Sequence, residues 1–178
     1  MTAKVKSMLQ CVLVLAAIAL VSGLLLGAFH IITYVDPLQA TLDGFRSESG
    51  AVGEFTMVLD QETESNEGKI IYYAVSETDG IHAFLASAVS ERKGEFQIYV
   101  YIRDNQIYKL VVGEHGDEYV PTLENAKFFD RFLGIDLADL NALDVDIVSG
   151  ATMTSKAVQK AIDAVVQYYK ENVAGGQS

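Results

Sequence analysis

Hydrophobic and polar positions divide the chain into two unequal parts. From Met8 to Ile32 the only acidic or basic side chain is His30, and Cys11 to Phe29 forms a 19-residue apolar run. At 1.5 Å per residue this run gives about 28 Å of helix, close to the ~30 Å hydrocarbon thickness of a bilayer, with Leu9 and Ile31 extending it. Beyond it the pattern breaks into short segments. Leu38, Leu42 and Phe45 recur at helical spacing after Asp36-Pro37, a pair suited to ending one helix or capping another, and predict a short helix. Gly50 and Gly53 punctuate the chain before Glu54–Leu59, and the acidic stretch from Asp60 to Gly68 reads as a loop. Lys69–Val75 and Ile81–Val89 read as strands on either side of Thr78-Asp79-Gly80.

The strongest local signal lies between Glu95 and Gly113. Phe96, Ile98, Val100 and Ile102 alternate with Gln97, Tyr99, Tyr101 and Arg103. Asp104-Asn105 then turns the chain, and Tyr108, Leu110 and Val112 continue at period two. This predicts a β-hairpin with one core face. Leu123–Phe132 is expected to be a helix ended by Gly134, and Lys156–Tyr169 a second one, with Val158, Ile162, Val165, Val166 and Tyr169 on one side. The expected fold class is α+β: an N-terminal transmembrane helix, residues 1–33 with the cytoplasmic N-terminus, then an antiparallel sheet with helices over residues 34–178.

Charge orients this arrangement. Lys4 and Lys6 precede the apolar run and Asp36 and Asp43 follow it, so the positive-inside rule places the N-terminus in the cytoplasm and the C-terminal domain outside, with one pass through the cell membrane. The competing reading is a cleaved secretory signal, for which Val21-Ser22-Gly23 supplies small residues; continuation of the run through Leu24, Leu25 and Leu26 favours a retained anchor. Gly23-x-x-x-Gly27 offers a surface for close approach of another membrane helix, although this spacing is common in apolar helices.

Composition then excludes whole classes. The net charge of −11, from 13 basic and 24 acidic residues, opposes nucleic-acid binding, which needs basic side chains against phosphates. A single cysteine and three histidines leave neither an internal disulfide nor a Cys/His zinc site. Glu62, Glu64 and Glu67 lack the Asp/Asn and Gly pattern of a calcium loop. The chain has neither a dinucleotide glycine fingerprint nor a cysteine set for an iron–sulfur cluster. Tyr72, Tyr73, Tyr99, Tyr101, Tyr168 and Tyr169 can stack on a ring, but packing accounts for them as well.

The most informative stretch runs from Asp144 to Ser155. Ser149, Thr152, Thr154 and Ser155, with Gly150 among them, stand just before the last amphipathic helix, where free backbone N–H groups and the helix dipole attract an anion. Gly150 can adopt a positive φ and leaves the backbone open to a ligand. The residues alone favour the plainer reading, in which Thr154 or Ser155 is an ordinary N-cap and Ser-Gly-Ala-Thr an ordinary loop.

Asp146, Ser149, Gly150, Ala151 and Thr152 resemble, in register, the flavinylation motif D-x-x-[S/T]-G-A-T of the FMN-binding domain family. Its best representatives are the G subunit of Rnf complexes and the C subunit of sodium-pumping NADH:quinone reductases. The order of anchor, external α+β domain and motif before the final helix is similar as well. The resemblance implies covalent FMN, joined through its phosphate to the Thr152 hydroxyl, with Thr154 as the second candidate and Asp146 aiding recognition by a flavin transferase. It further implies an electron-carrier subunit of a membrane-bound, ion-translocating ferredoxin:NAD oxidoreductase, an Rnf-like complex whose other membrane subunits are its partners. Such a subunit is part of a translocase rather than a complete enzyme. The chain departs from the family where a Glu-Thr-Pro-Gly-Leu-Gly-like loop is expected and Glu114 to Leu123 stands instead; Glu114, Tyr119 and Thr122 are candidate flavin neighbours there, although a solvated loop residue is the favoured reading of each, and His115 is a lone histidine. A C-type subunit of the quinone reductase is the nearest alternative, which the length of 178 residues disfavours. A non-redox anchored binding or assembly domain is the alternative from another class.

Overall fold

The computed structural model describes residues 3–33, 36–65, 68–90 and 94–174, so the expected boundary at residue 34 lies outside the described residues, as does Glu67. The chain divides into two compact units, Met1–Ala40 and Thr41–Ser178.

The first unit is dominated by α1 (Ala3–Thr33). Within it Val12–Ile31 is long and apolar enough to cross a membrane, and all of its side chains are exposed, unlike those of a soluble protein's core helix. The next helix, α2 (Pro37–Ser49), begins behind Asp36, whose Oδ1 accepts the Leu38 N–H at 3.0 Å, so the Asp-Pro pair caps a new helix.

The second unit is an α+β domain. Six strands, β1 (Thr56–Leu59), β2 (Thr63–Ser65), β3 (Gly68–Ser76), β4 (Ile81–Ser90), β5 (Gly94–Arg103) and β6 (Gln106–His115), form one sheet in the order β1-β3-β4-β5-β6, with β2 also paired to β3. Every described pairing is antiparallel. The acidic stretch read as a loop contains β2, because Thr63, Glu64 and Ser65 pair with Ile70, Lys69 and Gly68. Polar side chains suit this short edge strand, since they discourage pairing with other chains.

The β5–β6 hairpin turns where expected. Asp104 and Asn105 have φ of 51° and 61°, the two positive values of a type I′ turn, which these short polar residues tolerate. Its single core face, however, is two. Phe96, Ile98, Val100 and Ile102 pack beneath the last helix, while Tyr101 on the opposite face is fully buried beside Phe45 of α2. A register shift between Tyr101 and Ile102 also moves Tyr108 to the Phe45 side, away from Leu110 and Val112. The Phe45 ring meets Phe55, Tyr99 and Tyr101 at centroid distances of 6.0, 5.8 and 6.2 Å, fixing this part of α2 on the sheet.

On the other face lies α4 (Thr152–Tyr169), which starts four residues before the expected Lys156. Val158, Ile162, Val165 and Val166 enter the main core with Ile70, Phe84, Ile98 and Val100. Tyr168 packs against Phe84, Tyr169 against His82, and Lys160 lies over Gly68. The helix thus runs antiparallel to β4, and its first turn faces the Ser90 end of that strand. The expected Leu123–Phe132 helix is interrupted: α3 (Val120–Asn125) ends before Lys127, whose φ of 50° cannot continue a helix, and Phe129–Phe132 forms a 3₁₀ turn. Gly134 follows with φ 73° and donates its N–H to Ile107 O at 2.9 Å.

Candidate functional site

The chain entering α4 is held by the helix it enters. Ser155 Oγ, fully buried, accepts the Val148 N–H at 3.1 Å and donates to Ala151 O at 2.9 Å. One turn on, Gln159 Nε2 donates to Leu143 O at 3.1 Å and Val145 O at 2.6 Å. Residues four apart share a helix face, so both polar side chains reach the same loop. Arg131 adds a hydrogen bond to Asp146 O and a cation–π contact with Phe128 at 5.6 Å. Gly150 completes the entry with φ 86°.

Neither Thr154 nor Ser155 is the N-cap. That position is Ala151, and no side chain caps the helix. Its first-turn N–H groups lack intrahelical partners by geometry, and they carry the positive end of the helix dipole. Thr152 is the first helical residue and is partly exposed. Thr154 is 2 % exposed and donates its Oγ1–H to Asp117 Oδ2 at 2.7 Å. The difference arises from helix geometry, which turns side chains two positions apart to different faces.

Asp117 comes from the segment after β6. It is buried, and its second oxygen, Oδ1, accepts the Tyr119 N–H at 2.9 Å in a local Asx turn. The third wall is Ser90, the last residue of β4, 3 % exposed, whose Oγ has no hydrogen-bond partner among the described residues. Ser90, Asp117, Glu118, Tyr119, Gly150, Ala151, Thr152, Met153 and Thr154 enclose an open cavity of about 460 Å³.

Of the expected site residues, Gly150, Ala151, Thr152 and Thr154 line this cavity. Ser149 and Asp146 are exposed and do not. Tyr119 lines it too, whereas Thr122 is an exposed residue of α3 outside its lining, and Glu114 belongs to β6. His115 Nδ1 lies 3.1 Å from Asp117 O and 3.3 Å from Asp117 N, a contact that shapes the turn. It borders a separate polar hollow with Glu95, Gln97, Gly113 and Gly116. Sequence reasoning missed Asp117, Glu118, Ser90 and Met153. An Asp two residues before an N–H it can accept was a faint sign for the first, and nothing in the alternation of β4 marked Ser90. Among the described residues no group of three or more His, Cys, Asp or Glu is placed to hold a metal.

An α+β domain with an uncapped helix N-terminus opening onto a cavity is suited to holding an anionic ligand. Residues 92–167 match the family described as FMN-binding domain, which supports FMN as a ligand and a flavin-binding, electron-transfer role for the segment. The matched segment includes Asp117 and the start of α4 but not Ser90. No curated protein and no solved structure matches the chain. The structural features agree with a flavin nucleotide: a phosphate suits the helix terminus, Gly150 leaves the approach free of a side chain, and the exposed Met153 and Tyr119 offer apolar surface to a ring.

Proposed function

We propose that this chain is a membrane-anchored electron carrier with FMN esterified through its phosphate to Thr152 Oγ1, serving an Rnf-like ion-translocating ferredoxin:NAD oxidoreductase on the outer side of the membrane. The observation that carries the assignment is the contrast between two threonines in one cavity. Thr152 is accessible on the first turn of α4, whereas the Thr154 hydroxyl is buried and committed to Asp117.

Attachment needs an activated donor, because condensing a hydroxyl with a phosphate monoester in water is uphill. The Thr152 Oγ–P bond forms as an anhydride bond of a flavin nucleotide breaks. The leaving nucleotide portion takes the electron pair, the threonine proton passes to the flavin transferase, and no electrons change oxidation level. Asp146, exposed six residues before Thr152, is available for recognition by that transferase. The product keeps one negative charge, which the helix N-terminus stabilises by about 0.3 to 1 kcal/mol. Retention comes from the covalent bond, an advantage outside the cell.

Bound FMN supplies the redox chemistry, and the protein supplies position and surroundings. Gly150 and Ala151 leave room for the phosphate, Asp117 fixes the first turn through Thr154, and Arg131, Ser155 and Gln159 fix the loop before it. The apolar helix α1 contains no carboxylate, so the ion route belongs to partner subunits, and with neither a dinucleotide glycine fingerprint nor an iron–sulfur cysteine set in the sequence so do the sites for NAD and ferredoxin. The cytoplasmic placement of the N-terminus follows from Lys4 and Lys6 against Asp36 and Asp43.

The test is co-expression with a flavin transferase followed by denaturing electrophoresis and flavin fluorescence. The wild-type band fluoresces, Thr154→Ser fluoresces, and Thr152→Val is dark. Fluorescence retained in Thr152→Val overturns the assignment.

A further inference from the structure

Two buried hydroxyls lack hydrogen-bond partners among the described residues, Tyr101 Oη and Ser90 Oγ. Their surroundings differ. Tyr101 is enclosed by the rings of Phe45 and Tyr108 in the layer beneath α2, whereas Ser90 lines the cavity into which the uncapped first turn of α4 opens. A buried hydroxyl left unpaired costs folding free energy, so a hydroxyl kept in that state against a ligand-sized space marks a missing acceptor.

The other polar groups of the cavity narrow what that acceptor is. Both Asp117 oxygens already receive donors, from Tyr119 N and Thr154 Oγ1, and the Thr154 proton is used in that bond. The other side-chain hydroxyls of the lining are those of Thr152, Tyr119 and Ser90, and of these the Ser90 hydroxyl is the one that is buried without a partner among the described residues. Ser90 stands at the end of β4 that α4's first turn faces, so its O–H and the first-turn N–H groups converge as donors on one region. Donors gathered at a helix N-terminus favour an oxyanion there, with the exposed Glu118 carboxylate the other charged side chain of the lining beside Asp117.

We propose that Ser90 is a phosphate-binding residue: its Oγ–H donates to a phosphate oxygen at the N-terminus of α4, so that a flavin nucleotide docks non-covalently by its phosphate before Thr152 is esterified. The ligand's identity rests on the flavin reading above; the anion site rests on the cavity, the uncapped helix and the orphaned hydroxyl. Ser90 lies outside the family-matched segment, so this contact is supplied by a strand the match does not reach.

The experiment uses the full chain made without flavin transferase, purified in detergent, with Ser90→Ala beside it. FMN, riboflavin and inorganic phosphate are the probes, followed by flavin fluorescence and calorimetry. FMN is expected to bind more tightly than riboflavin, and inorganic phosphate to displace it. Ser90→Ala should weaken FMN about tenfold or more, the loss expected for one hydrogen bond to a charged group, with riboflavin unaffected. The variant should melt at the same temperature or higher, because it removes an unpaired buried hydroxyl. Unchanged FMN affinity in Ser90→Ala, equal weakening of FMN and riboflavin, or no binding of FMN and phosphate by the wild type would each overturn the proposal. Attachment is read separately by mass spectrometry of wild-type protein matured with the transferase. FMN on Thr152 together with Ser90-independent docking sinks this inference and leaves the electron-carrier reading; Ser90-dependent phosphate binding with a bare Thr152 does the reverse.

Discussion

Gly68 is where α4 comes closest to the sheet, and adding one methyl group there tests how the site is held. A Cβ on Gly68 would lie 2.5 Å from Lys160 O and 2.9 Å from Ala164 Cβ, against an ordinary contact of at least 3.4 Å. The nearer atom is helix backbone, so relief requires α4 to move out by about 0.9 Å, the difference between those two distances. Overpacking of this kind costs about 1 to 3 kcal/mol, and a rigid backbone partner puts Gly68→Ala near 2 to 3. For a domain of this size about 3 to 5 °C is lost per kcal/mol, so its melting temperature should fall by roughly 6 to 15 °C. Gly44→Ala is the matched control. That glycine lies inside α2 with nothing within 4 Å of its added Cβ, and the same methyl should stabilise by about 0.5 to 1 kcal/mol through helix propensity. Circular dichroism melts of both full-length variants in detergent provide the comparison. A Gly68→Ala protein melting at or above the wild-type temperature would refute close packing of α4 on β3. Because α4 carries Thr152 on its first turn, the same variant should also be flavinylated more slowly.

Other consequences follow from single contacts. Ser155→Ala strips the part-buried Val148 N–H of its acceptor and should cost about 1 kcal/mol in urea unfolding; no change would mean that water reaches that N–H. Arg131→Gln removes the tie to Asp146 O at an exposed site, so stability should change by less than about 1 kcal/mol while the rate of flavin attachment falls. Two pH effects come from the hydrogen-bonded pair Tyr73 and His82, 2.8 Å apart. Burial first, then the nearby Tyr168 and Tyr169, push Tyr73 up to about 12 from 10. The unfolded chain therefore loses this proton near pH 10 and the folded one near 12; the contribution is complete below 10 and about 2 to 3 kcal/mol disappears between 10 and 12. Burial lowers His82 below 6.5, so its contribution is complete above 6.5 and declines as pH falls through the lowered value. Urea titrations at stepped pH check both signs, and Tyr73→Phe should reduce the alkaline loss without abolishing it, because burial also raises Tyr101, Tyr108 and Tyr169.

Much of the fold could be read from local pattern, where local chemistry decided the outcome. The β5–β6 hairpin was legible because alternation and an Asp-Asn turn agree, and the α2 start because Asp-Pro is a strong cap. The failures share a cause in distant partners. Tyr101 reads as the outward side of an alternating strand, and only the folding of Phe45 onto that face buries it. Thr154 and Ser155 read as caps because such hydroxyls commonly serve there, yet Thr154 binds Asp117, 37 residues away, and Ser155 reaches back to Val148. Continuous apolar bulk at Phe128, Phe129 and Phe132 suggested one helix, whereas the left-handed Lys127 breaks it. At the site the motif residues from Gly150 to Thr154 were legible as a group. The opposing wall, Ser90 and Asp117, was not, because strand pairing assembles it from segments 60 and more than 30 residues distant from Gly150 in the sequence.

The central claim is that Thr152 carries FMN, and peptide mass spectrometry of the membrane-extracted protein, matured with its flavin transferase, addresses it most directly. The account predicts an FMN-sized addition on the peptide containing Thr152, located by fragmentation to that residue and absent from Thr152→Val. A bare peptide under those conditions, or an addition located on Thr154, would contradict it.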